Sequence, residues 1–424
     1  MLAVFSSQLI TRKDIVVSVR KRTWTNHKGP DGEAWIATYT DHDGKRRIRS
    51  FEKKQEAVAF HASVSTELRS GIHVPDSQSV TVAEAGKLWL THCEAIGLER
   101  STLDYYSQHL TRHIIPLIGA VKLSRLTVPM VRGFEDKLRE DRSPAMVRKV
   151  RISLGALLSD AQERGLVGQN VVHARTRSRR SKDARAAARQ QHKIQAGIDY
   201  PVPPEVRTLI AALGTDNRNG ARAVMMTAIF TGLRISELRG LRWEDVDLKR
   251  AELHVRQRAD RYDAIGMTKT GTSQRTVPLP PTLVSLLRAW KLACPHSKLG
   301  LVFPAADGET YSYVNITRHA LVPAMLAAGL TVPALHKDGT PKLDPNGRPL
   351  REAKYGWHAL RHFYASWCIN RHEDGGLELP AKLVQARMGH ASITVTMDVY
   401  GHLFPSGDDG AELAAAEKAL IVVG

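Results

Sequence analysis

Cysteine is scarce in this chain. Three occur in 424 residues, Cys93, Cys294 and Cys368, far apart and never as CxxC. That spacing excludes a disulfide framework and a zinc site, and fits reduced, buried thiols in a cytoplasmic protein. Long apolar runs are missing as well. The opening MLAVFSSQLITRKD has a short apolar start without a basic region ahead of it or an apolar core behind it. Neither a signal peptide nor a membrane span is expected. Acidic residues are outnumbered, 43 against 61 Lys plus Arg, which leaves a net charge of +18 and a pI near 9.9. Such a balance favours a polyanionic partner, nucleic acid first, over a basic protein merely kept soluble by its charge. No metal-ligand cluster of acids is evident, which argues against a two-metal nuclease. The remaining composition, 42% hydrophobic and 25% charged, is that of ordinary globular protein. The length calls for two or three domains.

What is present is concentrated near the end, in residues 356–402. There WHALRHFYASW is followed by RMGHASITVTMDVYGHLF. Leu360, Phe363, Tyr364 and Trp367 fit a helix, so His358 and Arg361, three apart, share one face about a turn apart. Arg361 is placed to clamp a phosphate with its planar fork, beside an imidazole able to move a proton. His390 and Tyr400 lie downstream. Two imidazoles, an arginine and a tyrosine in one segment point to phosphoryl chemistry with a tyrosine nucleophile. Upstream, TGLRISELRGLRW predicts a helix opening after Thr231 and Gly232, with Arg234 in its first turn. There its guanidinium and free backbone N–H groups can face one anion. TKTGTSQRTVPL predicts two short strands joined at residues 270–273, with Lys269 at the edge of the turn.

With these pieces assembled, the chain resembles the tyrosine recombinases of the phage-integrase type. That family uses Arg, Lys, His-x-x-Arg, His or Trp, and Tyr in that order. Here the order is filled by Arg234, Lys269, His358, Arg361, His390 and Tyr400. The resemblance of the catalytic part runs from about residue 202 to 404; the N-terminal half is similar only in organisation. The fold it implies is multidomain: a small α+β arm-type domain, an all-α core-binding domain, and a mainly α catalytic domain with a small antiparallel sheet.

The chain read in order agrees with that plan. Residues 1–75 hold three strand patterns, IVVSVRKRTW, AWIATYTDHDG and KRRIRSFE, then a helix with Ala57, Ala59, Phe60 and Val64 as its packing face and Gly71 as its stop. Arg22 and Arg47 are candidate DNA contacts there. Residues 79–173 are helical throughout, with a capping box at Thr81 and Glu84, a start at Ser101 and Thr102, and a stop at Gly165. Trp89, Leu110, Ile114 and Leu154 read as core, and Arg148 and Lys149 as backbone contacts to DNA. Residues 174–200 form a basic linker; Arg179 and Arg180 within it are candidate phosphate contacts. Residues 201–424 form the catalytic domain. In it AELHVRQ, DAIGMTK and RTVPL predict three strands of one sheet. Residues 333–355 predict an extended hairpin or loop, and the tail a short helix.

The resemblance implies roles. Arg234 and Arg361 would grip the non-bridging oxygens, and Tyr400 would attack with His358 as base. Lys269 would protonate the departing 5′ oxygen, and His390 would hydrogen-bond the phosphate or the leaving oxygen. His362 and His402 read as packing or surface residues. Strand exchange through a 3′-phosphotyrosyl ester implies neither ATP nor metal, and no cofactor. The function implied is that of a site-specific integrase of a phage or genomic island, acting in the bacterial cytoplasm at the nucleoid. A resolvase or invertase of the same chemistry, and a non-catalytic DNA-binding regulator, are the competing readings. Double-stranded attachment sites, a homotetramer on two DNA sites, and host DNA-bending or directionality proteins are the partners it brings.

Overall fold

The computed structural model describes residues 17–25, 32–41, 44–69, 73–173, 193–214, 220–268, 273–336, 338–405 and 409–421. It divides into two compact units, residues 1–179 and 180–424. No helix among the described residues is long and apolar enough to cross a membrane.

The first unit opens with strands β1 (Val17–Trp24), β2 (Gly32–Thr40) and β3 (Arg46–Phe51), antiparallel in the order β1-β2-β3. Helix α1 (Lys54–Arg69) packs on one face, where Val64 and Leu68 meet Tyr39. Ala57, Phe60, Val64 and Leu68 follow the helical repeat of that contact. Ala59, expected on the same face, is exposed because it falls between those rows. Gly71 lies outside the described residues. Cross-strand pairing puts Arg47 in line with Tyr39, on the face turned to α1. Arg47 Nε donates to Asp41 at 2.8 Å and Nη1 to Ser77 at 3.0 Å. Its guanidinium is thus bound within the unit, whereas Arg22, paired with Ala34, is exposed on the opposite face.

Helices α2 (Val82–Ala95), α3 (Arg100–His109), α4 (Ile115–Ile118), α5 (Val128–Asp141) and α6 (Pro144–Glu163) complete the unit. Thr81 and Glu84 form the reciprocal capping box, with Thr81 N–H donating to Glu84 Oε2 at 2.8 Å. Helix α3 starts one residue ahead of Ser101, from Glu99, without a side-chain cap. Trp89, Leu110, Ile114 and Leu154 are buried in one core, as their spacing predicts. On α6, Arg148 and Lys149 are exposed next to buried Val147 and Val150. Gly165, with φ +72°, ends that helix. Arg179 and Arg180 lie outside the described residues.

The second unit comprises α7 (Pro203–Ala212), α8 (Ala221–Thr231), α9 (Ile235–Arg239), and strands β4 (Val246–Asp247) to β8 (Arg275–Pro278). Between these strands lie β5 (Glu252–Val255), β6 (Gln257–Ala259) and β7 (Ile265–Met267). The expected single sheet is two. One has the order β4-β5-β8, and β6 pairs only with β7. The run AELHVRQ breaks at Arg256, and DAIGM folds back on its continuation through a turn at Asp260 and Asp263, whose φ is +64°. The two strands expected on either side of a turn at residues 270–273 belong to different sheets, β7 to one and β8 to the other, and residues 269–272 lie outside the described residues.

Helices α10 (Pro281–Ala293), α11 (Tyr313–Ile316) and α12 (Val322–Ala327) follow. Then β9 (Thr331–Pro333) pairs with β10 (Arg351–Ala353). The hairpin expected at 333–355 is present, and it carries two smaller loops closed by the bridges Leu335–Pro341 and Leu343–Pro349. In the second, Asp344 accepts hydrogen bonds from the N–H groups of Asn346 and Arg348, and Gly347 supplies φ +77°.

Helix α13 (Trp357–Ile369) is the axis of the second unit. Leu360, Tyr364, Ala365 and Cys368 on it are fully buried, and it packs against α8. Helices α14 (Ala381–Met388) and α15 (Ile393–Tyr400) lie against the same core, and α16 (Asp409–Ile421) ends the described chain with Leu413, Leu420 and Ile421 exposed.

Candidate active site

The turn between α8 and α9 fixes the first cation. Gly232 takes φ +59°, and a Cβ there would lie 2.3 Å from the Tyr364 ring, so only glycine lets α8 and α13 meet this closely. Arg234 follows as the N-cap of α9, outside the first turn where periodicity put it. Its backbone N–H donates to Glu237 Oε2 at 2.9 Å, and its Nη1 to Oε1 at 2.7 Å. The carboxylate of Glu237, not open space, therefore meets the N-cap N–H of this short helix.

Glu237 is 3% exposed and also accepts Arg275 Nη2 at 2.8 Å. Burial alone would raise its pKa, but Arg275, Arg361 and Arg234 outweigh it and hold the carboxyl at about 2. Arg275, on β8, escaped notice in the sequence because its partner lies 38 residues away.

Helix α14 ends at Gly389, whose φ of +62° leaves its last carbonyls turned outward. Each is taken by a different guanidinium. Arg275 Nε donates to the carbonyl of Arg387 at 2.7 Å, Arg361 Nη2 to that of Met388, and Arg234 Nη2 to that of Gly389 at 3.4 Å. The negative end of the helix thus gathers three cations from three elements. Arg361 Nη1 also donates to the carbonyl of Gly232 at 2.6 Å, which ties the two turns together. Arg361 is almost wholly buried; burial and the nearby Arg234 and Arg275 lower its pKa from the usual value.

Beyond this ring of arginines stand three imidazoles and a phenol. His390 Nδ1 is 3.0 Å from the Oγ1 of buried Thr396, and its ring lies parallel to that of Tyr400, centroids 6.0 Å apart. His362 Nδ1 is 2.7 Å from Tyr400 Oη. His358 is one turn back, with its ring edge-to-face on His362 at 4.5 Å. His358 thus touches His362, and it is His362 that touches Tyr400. Burial, then positive neighbours, lower the pKa of all three histidines, those of His362 and His390 to about 4. Burial pushes Tyr400 up to about 12, against the pull of Arg361 and Arg234. At neutral pH the site holds a protonated phenol among neutral imidazoles and charged guanidiniums. It can receive an anion, and it can move one proton.

Five of the six residues expected to form the site, Arg234, His358, Arg361, His390 and Tyr400, converge here. Lys269 lies outside the described residues. His362, read as a packing or surface residue, stands within hydrogen-bond distance of Tyr400. Its signal was available in HALRH, since the fourth residue after His358 lies on the same helical face. His402 is peripheral, its Nε2 2.8 Å from the carbonyl oxygen of Ile194.

Residues 203–406 match the phage integrase family. A tyrosine recombinase XerC-like protein of Caldanaerobacter subterraneus is 25% identical over 403 residues, covering 90% of this chain and 95% of its own length. An integrase of Streptomyces ambofaciens is 26% identical, covering 87% and 89% respectively. In fold, the chain is similar to a lambda integrase tetramer bound to a Holliday junction. That likeness has TM-score 0.52 and 18% identity, over 88% of this chain and 94% of that one.

Proposed function

The chain belongs to the phage integrase family of tyrosine recombinases, and from that membership we propose how its site cuts and rejoins DNA. It is a site-specific recombinase, an integrase, whose finer setting we take to be a phage or genomic island. The observation that carries the mechanism is the phenol of Tyr400, buried beside Arg361 and Arg234 and hydrogen-bonded to an imidazole.

A DNA phosphodiester bound there would place its non-bridging oxygens against Arg234 and Arg361, which are already positively charged and already oriented. Tyr400 Oη attacks phosphorus, the bond to the 5′ oxygen breaks, and a 3′-phosphotyrosyl ester forms. The phenolic proton leaves to a base and the 5′ oxygen gains one, a role the family resemblance gives to Lys269. His390, whose ring lies parallel to that of Tyr400, is the hydrogen-bond donor to the phosphate or the leaving oxygen. Since one ester replaces another, a 5′ hydroxyl of a second strand can reverse the step without ATP.

The DNA partner follows from the family and from the +18 charge. A tetramer on two attachment sites is the assembly proposed. The first unit is proposed to hold an arm-type domain (1–75) and a core-binding domain (79–173), joined by a basic linker (174–200) to the catalytic domain. Arg22, Arg148 and Lys149 are the exposed cations offered for its DNA contacts.

Nicked DNA spanning an end of the element, incubated with chelator present, tests this on a denaturing gel. Wild type should form a protein–DNA adduct and Tyr400→Phe none, with both binding DNA in a salt-sensitive way. Tight binding by both proteins without an adduct would instead favour a non-catalytic regulator.

A further inference from the structure

Resting on the recombinase reading above, we propose that His362, rather than His358, is the general base that takes the proton of Tyr400. Geometry carries it. The phenol makes its one side-chain hydrogen bond among the described residues to His362 Nδ1, at 2.7 Å, within the reach a proton transfer needs. The His358 ring meets His362 instead of the phenol. His390 is stacked parallel to Tyr400 and spends its Nδ1 on Thr396.

The surroundings set the resting protonation states. His362 is faced by His358 and Arg361 from its own helix, by Tyr400 from α15, by His390 from the turn before α15, and by Asp199 from the segment ahead of α7. Burial and the positive neighbours keep it neutral, and in the tautomer with its hydrogen on Nε2 the ring offers the phenol a lone pair at Nδ1. Tyr400 keeps its proton at rest, which leaves the nucleophile inactive until phosphate arrives. The step balances simply. As the Tyr400 oxygen bonds to phosphorus, its proton passes to Nδ1 and His362 becomes imidazolium. On rejoining, the same imidazolium returns the proton to the departing phenolate oxygen.

This separates two reactions that a structural role would not. His362→Gln keeps a hydrogen-bonding side chain but cannot accept the proton. Cleavage of the nicked substrate, read as the protein–DNA adduct it forms, should slow about 10²–10⁴-fold, the usual worth of a general base. Joining a 5′-hydroxyl strand to a DNA end carrying a 3′-p-nitrophenyl phosphate should stay within about threefold of wild type. Its leaving group needs no proton, and no tyrosine takes part. Slow cleavage with intact joining supports the assignment, and the intact joining shows that the variant is folded. Cleavage within about threefold of wild type would overturn it, as would equal loss of both reactions. Wild type inactive in both would overturn the recombinase reading itself, and the proposal with it.

Discussion

Glu237 is the side chain on which the three cations of the site depend, and replacing it with glutamine isolates its charge from its shape. The wild-type carboxylate is 3% exposed, pairs with Arg275 at 2.8 Å and Arg234 at 2.7 Å, and faces Arg361. A carboxyl held at about 2 instead of 4.5 stabilises the folded, charged form by about 3 kcal/mol. Breaking a buried ion pair by removing one charge costs about 3–5 kcal/mol, so two independent routes agree on the size. For a unit of this length the loss corresponds to a fall in Tm of about 6–12 °C. Glutamine still accepts one hydrogen bond, so the arginines should stay near their places while repelling one another. Phosphate or DNA should therefore stabilise Glu237→Gln more than wild type, since an added anion replaces the missing charge. Thermal melts of both proteins across a phosphate series read this directly. A fall in Tm of less than about 2 °C would refute the reasoning, because the carboxylate would then not be holding the cluster.

Two further outcomes follow from the same site. Gly232→Ala forces a side chain into the left-handed region and against Tyr364, which costs about 2–5 kcal/mol by backbone strain and overpacking together. Urea denaturation should show it, and wild-type stability in that variant would contradict the close approach of α8 and α13. The pH dependence has a definite sign. His362 and His390 sit at about 4 when folded against an ordinary 6.5, so between those values the unfolded chain binds more protons. Their contribution, on the order of 3 kcal/mol each, is complete above pH 6.5 and lost as pH falls towards 4. Glu237 adds a further loss between 4.5 and about 2. A Tm that stays level from pH 7 to pH 5 would show that these imidazoles are not buried neutral.

Much of this protein was legible in one dimension, for a physical reason. Helices repeat every three to four residues, so the faces of α6 and α13, the capping box at Thr81 and the stop at Gly165 depend only on near neighbours. The order Arg234, His358, Arg361, His390, Tyr400 was equally local, each residue within its own short motif. Local pattern failed where a partner was distant. It assigned one sheet to strands that form two, since AELHVRQ shows no break at Arg256 until β6 finds β7. Arg47 reads as a free cation until Asp41 and Ser77 close on it. Arg275 carries no motif, and its buried bond to Glu237 spans 38 positions. His362 also had to wait for Tyr400, 38 positions on, and Arg361 for the Gly232 carbonyl, 129 positions back. The sequence by itself determined which chemical groups are available and on which helical faces they stand. Only the tertiary structure decided which of them touch, because burial brings distant charges together and sets the proton between Tyr400 and His362.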